Sequence, residues 1–157
     1  MPVHAVAYAW RHVDILEQCE KLDKAGMDYW LTFLNGVGGV KHTKNHALNS
    51  AKIFSEANPT VVGAGGLVLF EGTGLLALYK KSKFQPLTER GLMEELKLFI
   101  ENLDFDGRFI THHTVSMDLN NVNFKDNKKK IIENLQHGID NLDMGRLAQI
   151  RNNKRGL

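Results

Sequence analysis

The chain has 157 residues, 43% hydrophobic and 24% charged, a balance that suits one folded domain with a single core rather than a disordered segment. Its 20 Lys and Arg against 18 Asp and Glu leave a formal net charge of +2, so no strong field argues for nucleic acid or an anionic membrane as partner. A single cysteine, Cys19, excludes an internal disulfide and points to a reducing, cytoplasmic compartment. Residues 1–10 have neither the basic leader nor the apolar core of a signal peptide, and the longest nearly apolar run, 61–70, falls well short of the ~20 residues of a membrane span.

Ile15, Leu16, Cys19 and Leu22 recur at helical spacing, predicting a helix over 13–25 with Gly26 as its C-cap and Cys19 on its apolar side. Tyr29 to Leu34 is aromatic-rich and reads as a buried strand, punctuated by the loop Asn35-Gly36-Val37-Gly38-Gly39. A second helix is expected from about Thr43, with Ala47, Leu48, Ala51 and Phe54 inward, stopped by Asn58-Pro59 because proline disfavours helical geometry in the residue before it. Residues 60–70 form the next strand, with Gly63, Gly65 and Gly66 permitting close approach of another backbone. Gly72-Thr73-Gly74 turns into a short helix over 75–81. Thr88 caps a longer one carrying Leu92, Leu96, Phe99, Ile100 and Leu103. Arg108 to Val115 is the third strand. Asp126 is expected to cap a helix with Ile131, Ile132, Leu135, Ile139 and Leu142 on one side, and residues 151–157 form a polar, frayed tail.

Helices alternating with strands predict an α/β fold: a parallel sheet of about three strands with crossover helices and a C-terminal helical extension, one domain over 1–157. A closed eight-stranded barrel takes ~250 residues, so the chain forms an open sheet or a piece of something larger.

Four features carry potential chemistry. The Gly36-Val37-Gly38-Gly39 loop follows a buried strand, where parallel sheets place ligands, and it reads either as a ligand shelf or as a plain strand-to-helix turn; it is neither a dinucleotide fingerprint nor a phosphate loop. His42 and His46 stand four apart on one helix face but have no third ligand, so they read as solvent-exposed polar residues rather than a metal site. Thr111-His112-His113-Thr114 ends the third strand, with Thr111 and His113 on one face; it reads as a polar strand end lining a cleft, more than as half of a phosphoesterase, for which a second His-x-Thr pair is lacking. Lys128-Lys129-Lys130 and the basic tail read as a solvated surface.

In order and spacing, four stretches resemble the C-terminal half of radical S-adenosylmethionine enzymes of the group related to coproporphyrinogen oxidases and the elongator catalytic subunit. They are 22–39, ending Asn-Gly-Val-Gly-Gly; His46-Ala47-Leu48 through Asn58-Pro59; 69–75 with 87–89 and 96–105; and Arg108 to His113. The resemblance implies an open partial (βα) barrel, with 29–34 as its fifth strand and 61–70 as its sixth. Leu34 and Gly36 fall on the family's apolar and glycine positions near the cofactor adenine. Leu34, Asn35, Gly36, Gly38 and Gly39 are then cofactor-binding candidates, and Thr111 and His113 line the substrate cleft. Gly39 stands where an acidic residue is frequent, Gly74 where proline is frequent, and Val115-Ser116 where Ser-Asn is usual.

The family's [4Fe–4S] cluster needs Cys-x-x-x-Cys-x-x-Cys, and this sequence has Cys19 alone. The expectation is therefore a chain that holds no cofactor by itself and is not competent for radical chemistry alone, although S-adenosylmethionine and a cluster are implied for the complete family member. A half-barrel leaves an open strand edge, so a homodimer or a partner chain should cover it. The rival reading is a non-enzymatic assembly or regulatory domain on the same scaffold, and a third, less favoured, is a small phosphoesterase using His112 and Thr114.

Overall fold

The computed structural model describes residues 12–112, 121–141, 143 and 145–149. Helix α1 (His12–Lys24) leads to strand β1 (Trp30–Asn35), helix α2 (Gly39–Ala57) and strand β2 (Val61–Gly66). Helices α3 (Gly74–Lys80) and α4 (Glu89–Asn102) follow, then strands β3 (Arg108–His112) and β4 (Val122–Asn123) and helix α5 (Phe124–Asn141). The chain is α/β, and its mixed sheet has the order β1-β2-β3-β4, with the first three strands parallel and β4 antiparallel to β3.

Local chemistry sets most of the boundaries. Gly26 ends α1 at φ 65, with the Met27 amide reaching back to the Leu22 carbonyl at 3.0 Å. Asn58 ends α2 in the left-handed conformation at φ 50, a state asparagine tolerates better than most residues, and Pro59 then forbids resumption. Thr73 and Thr88 cap α3 and α4, accepting from the Leu76 and Gly91 amides at 3.3 and 3.2 Å. Gly74 occupies the first position of α3, where proline would also fit.

Three boundaries differ from expectation. β2 stops at Gly66, not Phe70, because its partner β1 turns away after Asn35; the last tie is the Leu67 amide to the Asn35 carbonyl at 2.9 Å. Helix α2 starts four residues earlier than Thr43, directly from the glycine loop. Helix α5 starts at Phe124, and its cap is Asn123, whose Oδ1 accepts from the Asp126 amide at 3.1 Å. A fourth strand, two residues long, is present beyond the three expected. Residues 113–115, 142 and 151–157, which complete the expected third strand, the last helix and the tail, lie outside the described residues.

Helices α2, α4 and α5 pack side by side on one face of the sheet, with α1 beyond α2. Register puts Leu31, Val62 and Phe109 in one row, and Phe33, Ala64 and Thr111 in the next. Cα partners in a parallel pair share a face, so these rows form the floor on which the helices rest. Ala47 and Ala51 of α2, fully buried, let that helix approach Leu96, Phe99 and Ile100 of α4 closely, while Ile131 and Leu135 of α5 close the far end. On the opposite face lie Trp30, Thr32 and Leu34 of β1; Trp30 is 62% and Leu34 41% exposed, whereas Val61 and Ile110 in neighbouring strands are buried.

Candidate functional site

The three parallel strands end together at Asn35, Gly66 and His112, and the glycine loop leaves the first of them. The turn is built by the Val37 amide on the Leu34 carbonyl (3.2 Å) and the Gly39 amide on the Gly36 carbonyl (3.0 Å). Gly36 sits at φ 91 and Gly39 at φ 58, values that penalise any residue with a Cβ. Space forbids a side chain as well. A Cβ on Gly36 would stand 2.7 Å from Leu92 Cδ2, and one on Gly39 would stand 2.7 Å from both the Gln85 carbonyl and the Phe84 ring. Gly38 differs: at φ −71 it has ordinary helical geometry as the residue before α2, and a Cβ there would meet His46 Cβ at 3.1 Å.

Behind this loop lies a group that does not stand out in the sequence. Glu95, on α4, is 2% exposed. Its Oε2 accepts from the Gly36 amide at 2.5 Å, and its Oε1 accepts from the Thr43 hydroxyl at 3.0 Å and lies 3.1 Å from His46 Nδ1. His46 is thus not the solvent-exposed residue expected: its ring stacks on Phe33 at 4.7 Å and its side chain is 19% exposed. His42, one turn earlier, is exposed as expected, and no group of three or more His, Cys, Asp or Glu among the described residues is placed to hold a metal ion.

The remaining candidates separate by face. Leu34 lies on the open face, in the register row Leu34–Gly65–His112. Asn35 is buried on the helix side, where its Nδ2 donates to the Leu92 carbonyl at 3.1 Å and its Oδ1 has no donor among the described residues. Thr111 is also buried on the helix side, so it lines no open cleft within the described residues. His113 and Thr114 lie outside the described residues. The strand end therefore brings Leu34, Asn35, Gly36, Gly38 and Gly39 together, with Thr111 two strands away. The buried polar residues Asn35, Glu89, Glu95 and Thr111 are distributed among the ends of β1 and β3 and helix α4. Sequence did hold one signal for Glu95: it lies within the apolar stripe of α4, between Leu92 and Phe99, where a carboxylate is costly unless donors meet it.

A depression of about 590 Å³ opens between α1 and the end of α2, lined by Cys19, Asp23, Lys52, Glu56 and Ala57 among others. Cys19 is a core residue, as its position on α1 suggested, and burial pushes its thiol pKa up. A raised thiol is a poor nucleophile at neutral pH. Tyr29, whose hydroxyl donates to the Ala57 carbonyl, is likewise raised, by burial first and then by the negative charge Cys19 and Asp23 can bring. No helix of the described residues is long and apolar enough to cross a membrane. No protein-family model, no curated protein and no solved structure matches the sequence.

Proposed function

We propose that the chain is the C-terminal part of a radical S-adenosylmethionine enzyme, an open partial (βα) barrel. In this reading its glycine loop and strand ends form part of the cofactor surface, and further polypeptide or a partner chain supplies the cluster. The observation that supports this most is the conformation of the loop. Two glycines at positive φ, Gly36 and Gly39, fix a tight turn at the C-terminal end of a parallel strand, the end at which parallel sheets place ligands. Leu34 stands beside them on the open face with the side-chain-free Gly65 next in register, an arrangement that suits the flat face of a purine. One thiolate cannot hold four irons, so this chain contributes surface rather than radical chemistry. Calorimetric titration of S-adenosylmethionine into the chain and into Leu34→Arg is the test. Leu34 is exposed, so the substitution leaves the core intact; saturable heat in the unaltered chain and its loss in the variant are expected. Equal heats in both, or none in either, would remove the loop from consideration.

A second reading is favoured by exposed Trp30 and Leu34 on β1, which has one strand neighbour among the described residues. There the same scaffold serves as an assembly or regulatory domain, and β1 is its contact with a second copy.

A further inference from the structure

A buried carboxylate persists where hydrogen-bond donors are aimed at it. The Glu95 side chain is 0% exposed, and three donors reach it: the Gly36 amide, the Thr43 hydroxyl and His46 Nδ1. A carboxylate only accepts, so it selects the His46 tautomer with its proton on Nδ1. The same helix holds the preceding residue, because the Leu92 carbonyl accepts from Asn35 Nδ2 and the Leu92 side chain fills the place where a Cβ on Gly36 would sit. Glycine left to itself samples both signs of φ. Here α4 selects one. A leucine in place of Glu95 could fill similar space with no desolvation cost; what the carboxylate adds is direction, at one backbone amide of the loop and at the first turns of α2.

We propose that Glu95 is a positioning residue: it fixes the glycine loop in its ligand-receiving shape from behind the sheet, without touching the ligand. This rests on the reading of the loop as an S-adenosylmethionine surface. The physical gain is preorganisation, since a loop already ordered loses less entropy when a ligand arrives. His46 and Thr43 serve the same end by holding the carboxylate toward Gly36.

The test compares E95L and E95Q in the full chain, reading amide exchange at Gly36 and S-adenosylmethionine affinity at a temperature where both are folded. E95L should accelerate Gly36 exchange about tenfold or more while leaving Val62 and Phe109 unchanged, and weaken binding by a similar factor. E95Q retains an acceptor oxygen and should stay within about threefold of the unaltered chain in both. A role in packing alone predicts a different result: lower thermal stability in E95L, with affinity intact. Unchanged Gly36 exchange in E95L overturns the proposal, and so does faster exchange with undiminished affinity. If the unaltered chain gives no saturable heat, the cofactor reading falls, and the clamp stands or falls on Gly36 exchange alone. Should E95L fail to fold, T43V removes one donor from the same carboxylate. Faster Gly36 exchange and severalfold weaker binding are expected there, and no change in either overturns the proposal.

Discussion

At Gly39 a φ of 58 coincides with a backbone carbonyl and an aromatic edge 2.7 Å from any added Cβ, whereas at Gly72 a φ of 80 meets open space. The pair separates two penalties that a glycine can hide. Gly72→Ala should lose about 1 kcal/mol from the left-handed conformation alone, and Gly39→Ala roughly twice that or more because the loop must also move. Urea denaturation of the two variants checks this, and equal losses would mean that the contact with Phe84 and Gln85 gives way freely. Tyr29 carries a pH dependence. A tyrosine in an unfolded chain loses its proton near pH ~10, while the folded chain holds that of Tyr29 to higher pH. The folded state then binds more protons than the unfolded one above pH ~10, so this contribution to stability is complete below that pH and is lost as pH rises past it. The urea midpoint of the unaltered chain should fall more steeply between about pH 10 and 11 than that of Tyr29→Phe. Parallel declines would place the alkaline sensitivity elsewhere.

Among the elements, β1, α2 and α4 form the unit on which the site depends. Phe33 joins all three: its ring lies 4.0 Å from Phe99 of α4, nearly parallel, and 4.7 Å from His46 of α2. Truncating it opens a cavity and frees the His46 ring, so Phe33→Ala should cost about 3 to 5 kcal/mol, near the top of the range for core deletions. If the stack also orients His46 toward Glu95, the milder Phe33→Leu should loosen the His46–Glu95 contact, read as a changed His46 imidazole nitrogen shift in NMR, before it lowers the melting temperature. At the far end, Lys128 shows how a basic run can be misread. Its ammonium donates to the Leu103 carbonyl at 2.7 Å, just past the end of α4, and lies 5.8 Å from the Phe124 ring centroid, so one of three consecutive lysines helps to dock α5.

At the scale of the whole molecule, β1 is an edge strand of the sheet among the described residues, and its open-face side chains include Trp30 and Leu34. Unpaired strand edges with exposed apolar residues are templates for association, and a two-fold contact lets one copy cover the other. The expected outcome is a homodimer at micromolar concentration, measured by light scattering and reduced to the 17.7 kDa monomer by Trp30→Lys. A monomer mass that does not change with concentration in the unaltered chain would sink the assembly reading.

Helix and strand positions were legible in the sequence because the signals are local. Apolar spacing, Gly26, Asn58-Pro59 and Thr88 act within a turn or two of the residues they govern. The glycine loop was legible for the same reason, and so was the burial of Cys19. What only the tertiary structure decided depends on partners far along the chain. The end of β2 is set by where β1 turns, and β4 exists because β3 offers an edge. His46 was expected in solvent and is instead held by a carboxylate 49 residues away, while the Gly36 amide is held by the same carboxylate across 59 residues. A glutamate in an apolar stripe can be an exposed residue at a helix edge or the centre of a buried network. Which of the two Glu95 becomes is fixed by the packing of α2 against α4, because only there do three donors reach one carboxylate and offset the cost of removing it from water.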